Sequence, residues 1–107
     1  MDINILYPST GAGRAAIEQL RKKMSSLNRT SIIYKQLQQN ERELMTADEM
    51  VTARGGNKQL EEKVLRDLTA LEDWLLHNRK EDGALEIFIQ LRILNTHLLM
   101  RFYDRYR

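Results

Sequence analysis

Apolar residues recur at spacings of three and four along most of this chain, a rhythm that predicts helices. Ile17, Leu20, Met24 and Leu27 make one face of a first segment, with Arg21, Lys22 and Lys23 on the other side. The rhythm sags at Ser25-Ser26-Leu27-Asn28-Arg29-Thr30-Ser31, where hydroxyl and amide side chains compete for backbone groups. It resumes at Ile33, Leu37, Leu44 and Val51. We read the interruption as a kink or phase slip within one N-terminal helical region, residues 11–53, and not as a certain break. Residues 36–43 are polar and expected to be poorly buried. Thr46-Ala47-Asp48-Glu49 has capping-box spacing and either opens a short helix or lies inside a continuous one.

Arg54-Gly55-Gly56-Asn57 is the clearest stop, because paired glycine ends a helix and asparagine caps the next. Over residues 58–79, Leu60, Val64, Leu68, Leu71 and Leu75 form a stripe widened by Leu65 and Trp74. Glu61, Glu62, Lys63, Arg66, Asp67, Glu72 and Asp73 are expected to face water. Lys80-Glu81-Asp82-Gly83 is a tight polar turn, and a last helix runs from Ala84 to Tyr103 or beyond. The short connection makes residues 58–105 an antiparallel helical hairpin. The expected fold is therefore all-α: one small helical bundle over 1–107, built on that hairpin, with a long, kinked N-terminal helix after an extended arm at 1–10.

The last helix is apolar nearly all round. One stripe is Ile87, Phe88, Leu91, Leu94, Leu98 and Phe102; a second is Leu85, Ile89, Ile93, Met100 and Tyr103. Either both other helical regions cover it, or one face packs inside and the other meets a second copy or a partner. The residues expected to pack, in core or interface, are Trp74, Phe88, Ile89, Leu91, Ile93, Leu94, Leu98, Phe102 and Tyr103. The methionines Met24, Met45, Met50 and Met100 suit adaptable helix-on-helix contact.

The N-terminus raises a different chemistry. Ile3-Asn4-Ile5-Leu6-Tyr7 looks like a strand, and Gly11-Ala12-Gly13-Arg14-Ala15-Ala16 then matches the Gly-x-Gly-x-x-Ala string of dinucleotide sites. Such a site needs a parallel sheet and an acidic residue about 20 positions on. That window, Tyr34 to Asn40, holds no acid, and no second strand is evident. The stretch is better read as a Pro8-bounded arm leading into a helix capped by Ser9 or Thr10. The apolar side chains of Ile3, Ile5, Leu6 and Tyr7 then fold back on the bundle or reach a neighbouring chain.

Composition narrows the function. Of 107 residues, 42% are apolar and 30% charged, with one proline and no cysteine, which excludes disulfides, thiolate metal sites and a cysteine nucleophile. A reducing compartment is permitted, no secretory signal is expected, and we place the chain in the cytoplasm. Glu86, Arg92 and Arg101 in the most apolar stretch argue against membrane insertion. His77 and His97 have no metal-ligand spacing, and adjacent carboxylates such as Glu72 and Asp73 do not face each other on a helix. No nucleophile motif occurs. We expect no enzyme, no catalytic residue, no cofactor and no metal.

The leading expectation is a non-enzymatic, helix-mediated protein-interaction protein: an adaptor, assembly factor or small chaperone, self-associating through coiled-coil-like contacts. The alternative follows from charge. The net charge is +2, with five basic and two acidic groups in residues 1–30. Arg14, Arg21, Lys22, Lys23 and Arg29 of a dimer could contact a nucleic acid, helped by Arg101, Arg105 and Arg107 beside Phe102, Tyr103 and Tyr106. Finally, Leu68-Thr69-Ala70-Leu71-Glu72-Asp73-Trp74-Leu75-Leu76-His77 resembles a helix of the small hairpin chaperones of type III secretion. This covers about a tenth of the chain, with residues common in amphipathic helices, and implies a small helical chaperone without assigning a family.

Overall fold

The computed structural model describes residues 10–52 and 56–106. Five helices follow in order: α1 (Thr10–Ser25), α2 (Ile32–Gln39), α3 (Glu41–Thr52), α4 (Lys58–His77) and α5 (Ala84–Arg105). The described residues contain no strand, so the fold is all-α. The expected arm at 1–10 lies outside the described residues except for Thr10, which is already helical in α1. The cap expected from Ser9 or Thr10 lies at the edge of the described residues, with Ser9 outside them.

The N-terminal region is three helices, not one kinked helix. Polar side chains take over the backbone where α1 stops. Ser25 Oγ and Ser26 Oγ donate to the carbonyls of Lys22 and Lys23, both at 2.8 Å. Asn28 Oδ1 accepts from Thr30 N at 3.0 Å and from Thr30 Oγ1 at 2.8 Å, closing a turn of its own. Ser31 then caps α2, its hydroxyl accepting from Ile33 N at 3.1 Å. Asn40 separates α2 from α3, its side chain donating to the Gln36 carbonyl. Thr46 lies within α3 and donates to the Arg42 carbonyl, so the Thr46–Glu49 box opens no helix. Asn57 does cap α4, its Oδ1 accepting from Leu60 N at 3.1 Å.

Two long antiparallel contacts organise the bundle. On α4 and α5, Glu72 meets Arg92, Thr69 meets Asn95 and Glu61 meets Arg105, positions that fall along one helix as they rise along the other. Between α1 and α5, Gly13 lies against His97, and just beyond the end of α1 Leu27 lies against Gly83, which precedes α5. Gly83 has φ of +85°, and a side chain there would also collide with Leu27, so the turn before α5 needs glycine twice over. α3 lies against α1 and α4 and closes the core from the opposite side. Ile33, Leu37, Val51, Leu68, Leu75, Ile87, Leu91, Leu94 and Leu98 are fully buried there. Each such side chain contributes roughly 1.5–3 kcal/mol.

Three expectations for α4 are corrected by this packing. Leu60, at the start of the helix, is exposed. Glu61 and Glu72, expected in water, are buried, because both turn toward α5 and find polar partners on it.

Candidate functional site

α5 is the central helix of the bundle. It packs between α1 and α4 and meets α3 on its inner side, so its inward face is the centre of the core. Among the described residues, none covers the opposite face. Leu85 (46% exposed), Ile89 (52%), Ile93 (41%), Leu99 (43%) and Tyr103 (65%) stand open to solvent along it. Leu76, near the end of α4, is also exposed. The five α5 residues present an apolar surface on the order of 500 Å², within the range of the largest patch on a typical monomer, which is often functional.

The packing residues expected on α5 therefore divide. Leu91, Leu94 and Leu98 are core, fully buried among the neighbouring helices. Ile89, Ile93 and Tyr103 are surface. Trp74, Phe88 and Phe102 are half-buried against the core. Leu99 belongs to the open face and was missed by the sequence reading; its spacing from Ile89 and Tyr103 was the signal.

A groove between α4 and α5 borders this face, lined by Thr69, Arg92, Asn95, Thr96, Leu99 and Tyr103 among others. Beneath it, Glu72 and Asn95 are buried. Glu72 Oε2 faces Arg92 Nη1 at 3.4 Å, and Asn95 Nδ2 reaches Thr69 Oγ1 at 3.5 Å. Glu72 Oε1 and Asn95 Oδ1 are buried acceptors with no hydrogen bond. Burial pushes the Glu72 carboxyl above its ordinary value, and the partly exposed Arg92 guanidinium offsets this only in part.

A second polar cluster fixes the far end of α5. The buried Glu61 carboxylate takes Arg105 Nη1 at 2.8 Å on one oxygen and the Tyr106 hydroxyl on the other. Arg101 Nη1 donates to the Val51 carbonyl at 2.8 Å, satisfying an end carbonyl of α3. Phe102 meets Tyr106 in a tilted ring contact, and Arg101 and Arg105 are engaged within the chain, whereas Tyr103 is exposed and Arg107 lies outside the described residues.

Of the expected nucleic-acid residues, Arg14, Arg21, Lys22 and Lys23 lie on α1. Arg21 pairs with Asp48 of α3. Lys23 lines a polar pocket shared with Asp82 and Glu86. Arg14 and Lys22 are exposed on α1, and Arg29 lies in the turn beyond it. Gly13, part of the dinucleotide-like string, lies inside α1 and is buried against the His97 ring. That glycine serves the approach of two helices. His77, at the end of α4, donates from Nδ1 to the Asp73 carbonyl at 2.7 Å. Among the described residues no cluster of metal-ligating side chains forms, and no helix is long and apolar enough to cross a membrane.

A smaller apolar groove between α1 and α3, walled by Met24, Leu44 and Met45, reaches down to Leu94. Comparison with family models, curated proteins and solved structures finds no match to this chain.

Proposed function

We propose that this chain is a non-enzymatic protein-interaction module, an adaptor or assembly factor, that docks a helical partner on the outward face of α5. One observation carries this reading: five large apolar side chains lie open along one side of a helix whose other side already forms the core. Folding needs one apolar face on α5, and the helix has two. Removing about 500 Å² from water yields on the order of 10 kcal/mol. The loss of free motion on association costs a similar amount. A partner that brings an equally apolar face doubles the gain, which favours a helix-on-helix contact over docking to a polar surface.

The test is Ile89→Asp with Ile93→Asp. Both positions are exposed, so the expected variant melts close to wild type and loses partner binding. Collapse of the fold would place the stripe in the core, and unchanged binding would remove α5 as the docking face.

A further inference from the structure

We infer that the partner of the α5 face is a second copy of this chain, paired antiparallel about a two-fold axis at the level of Leu94. This rests on the docking face proposed above and names its occupant. Along the solvent side of α5, Leu85, Ile89, Arg92, Thr96, Leu99 and Tyr103 are spaced four, three, four, three and four residues apart. That is the a/d spacing of a helix–helix seam. All six lie at least partly in solvent.

The order of these residues is self-complementary. With the helices antiparallel and centred on Leu94, Leu85 meets Tyr103 of the second copy, Ile89 meets Leu99, and Arg92 meets Thr96. Both ends are apolar layers, and the two polar layers fall in the middle. A parallel pair would instead bring Arg92 against Arg92, two like charges in a drying contact. One polar residue in an apolar seam is a known device for setting register and orientation. An isologous contact of this kind closes as a dimer and leaves no open end.

The groove beside the seam supplies a second, independent observation. Asn95 Oδ1 is a buried acceptor without a hydrogen bond in the single chain. Asn95 lines the groove together with Arg92, Thr96, Leu99 and Tyr103. In the antiparallel register, Arg92 of the second copy arrives opposite Thr96, at the mouth of that groove. Its guanidinium, engaged through Nη1 with its own Glu72, has further donors to offer the Asn95 Oδ1 that the single chain leaves unused. Two faces of about 500 Å² with their polar rims come to the lower end of specific interfaces, so the dimer is reversible.

The chain contains no cysteine, so introduced thiols report cleanly. Positions 89 and 99 are about 15 Å apart on one helix, too far to bridge within a chain. Under mild oxidation, Ile89→Cys with Leu99→Cys is expected to run as a covalent dimer on a non-reducing gel, while Ile89→Cys alone stays monomeric. Thr96→Arg sets two arginines opposite each other and is expected to weaken the dimer at least tenfold without changing the melt. Crosslinking of Ile89→Cys alone overturns the antiparallel register. A wild-type chain that sediments as a monomer at roughly 100 µM, with no crosslink in the double variant, overturns the second copy as partner. In that case, loss of a captured host protein on Ile89→Asp with Ile93→Asp leaves the docking face standing, and no such loss removes both.

Discussion

Gly13 lies so close to His97 that a Cβ on the glycine would sit 2.7 Å from the ring Cδ2. The imidazole is almost fully buried. Glycine at this position lets α1 approach α5, although it weakens the helix that contains it by about 1 kcal/mol. Gly13→Ala is therefore expected to lose about 1–2 kcal/mol in urea unfolding, because overpacking outweighs the gain in helix propensity. Added to a His97→Ala background, the same substitution is expected to cost nothing. A Gly13→Ala variant as stable as wild type would contradict this contact.

Leu94 and Ile93 are neighbours in sequence with opposite surroundings: Leu94 is fully buried and Ile93 is 41% exposed. Leu94→Ala is expected to cost about 2–5 kcal/mol, the range for a large core deletion. Ile93→Ala should change monomer stability by about 0.5 kcal/mol or less. Chemical denaturation under dilute, monomeric conditions separates the two. Equal losses would mean that the faces of α5 are wrongly assigned.

Much of this pattern is legible in the sequence, and its gaps have physical causes. The core leucines of α4 and α5 follow helical periodicity, and Asn57 announces its cap. Periodicity alone does not say which stripe of α5 is inward, since both are apolar. That choice is made where α1 lands, through Gly13 against His97 and Leu27 against Gly83. The burial of Glu61 and Glu72 is equally hidden. Their partners Arg105, Tyr106 and Arg92 lie far along the chain, and a carboxylate without a visible partner reads as solvated. The turn after α1 depends on Ser and Asn side chains winning backbone groups from the helix, a close contest that composition only suggests.

Glu72 gives the fold a pH dependence of known sign. Its carboxyl is raised in the folded state, chiefly by burial. The folded chain then holds this proton more tightly than the unfolded chain, so the Glu72 contribution is lost as pH rises from the ordinary carboxylate value near 4.5 through the raised folded value. Glu72→Gln is expected to raise the melting temperature at pH 7, with the advantage shrinking as pH falls toward 4.5. Arg92, whose side chain is largely exposed, loses little by the change. A lower melting temperature for the variant at pH 7 would show that the ion pair outweighs the burial.

Glu61 locks the end of α5. Its two oxygens serve Arg105 and Tyr106, and Gly56 leaves the space, since a Cβ there would collide with the Glu61 carboxylate and approach Arg105 Nη1 to 2.9 Å. Glu61→Ala is expected to cost about 3–5 kcal/mol, the range for breaking a buried charge pair. Hydrogen exchange should show the loss locally, as faster exchange over residues 101–106. Unchanged protection there would mean that the packing of Phe102 and the Arg101–Val51 hydrogen bond hold the helix end without Glu61.

The outward face of α5 as a docking surface is tested most directly by sedimentation equilibrium of the wild type beside Ile89→Asp with Ile93→Asp. The wild type is expected to approach twice the chain mass of 12.6 kDa as concentration rises toward roughly 100 µM. The variant is expected to stay at 12.6 kDa with a melt close to wild type. A variant that self-associates as well as the wild type would contradict the account.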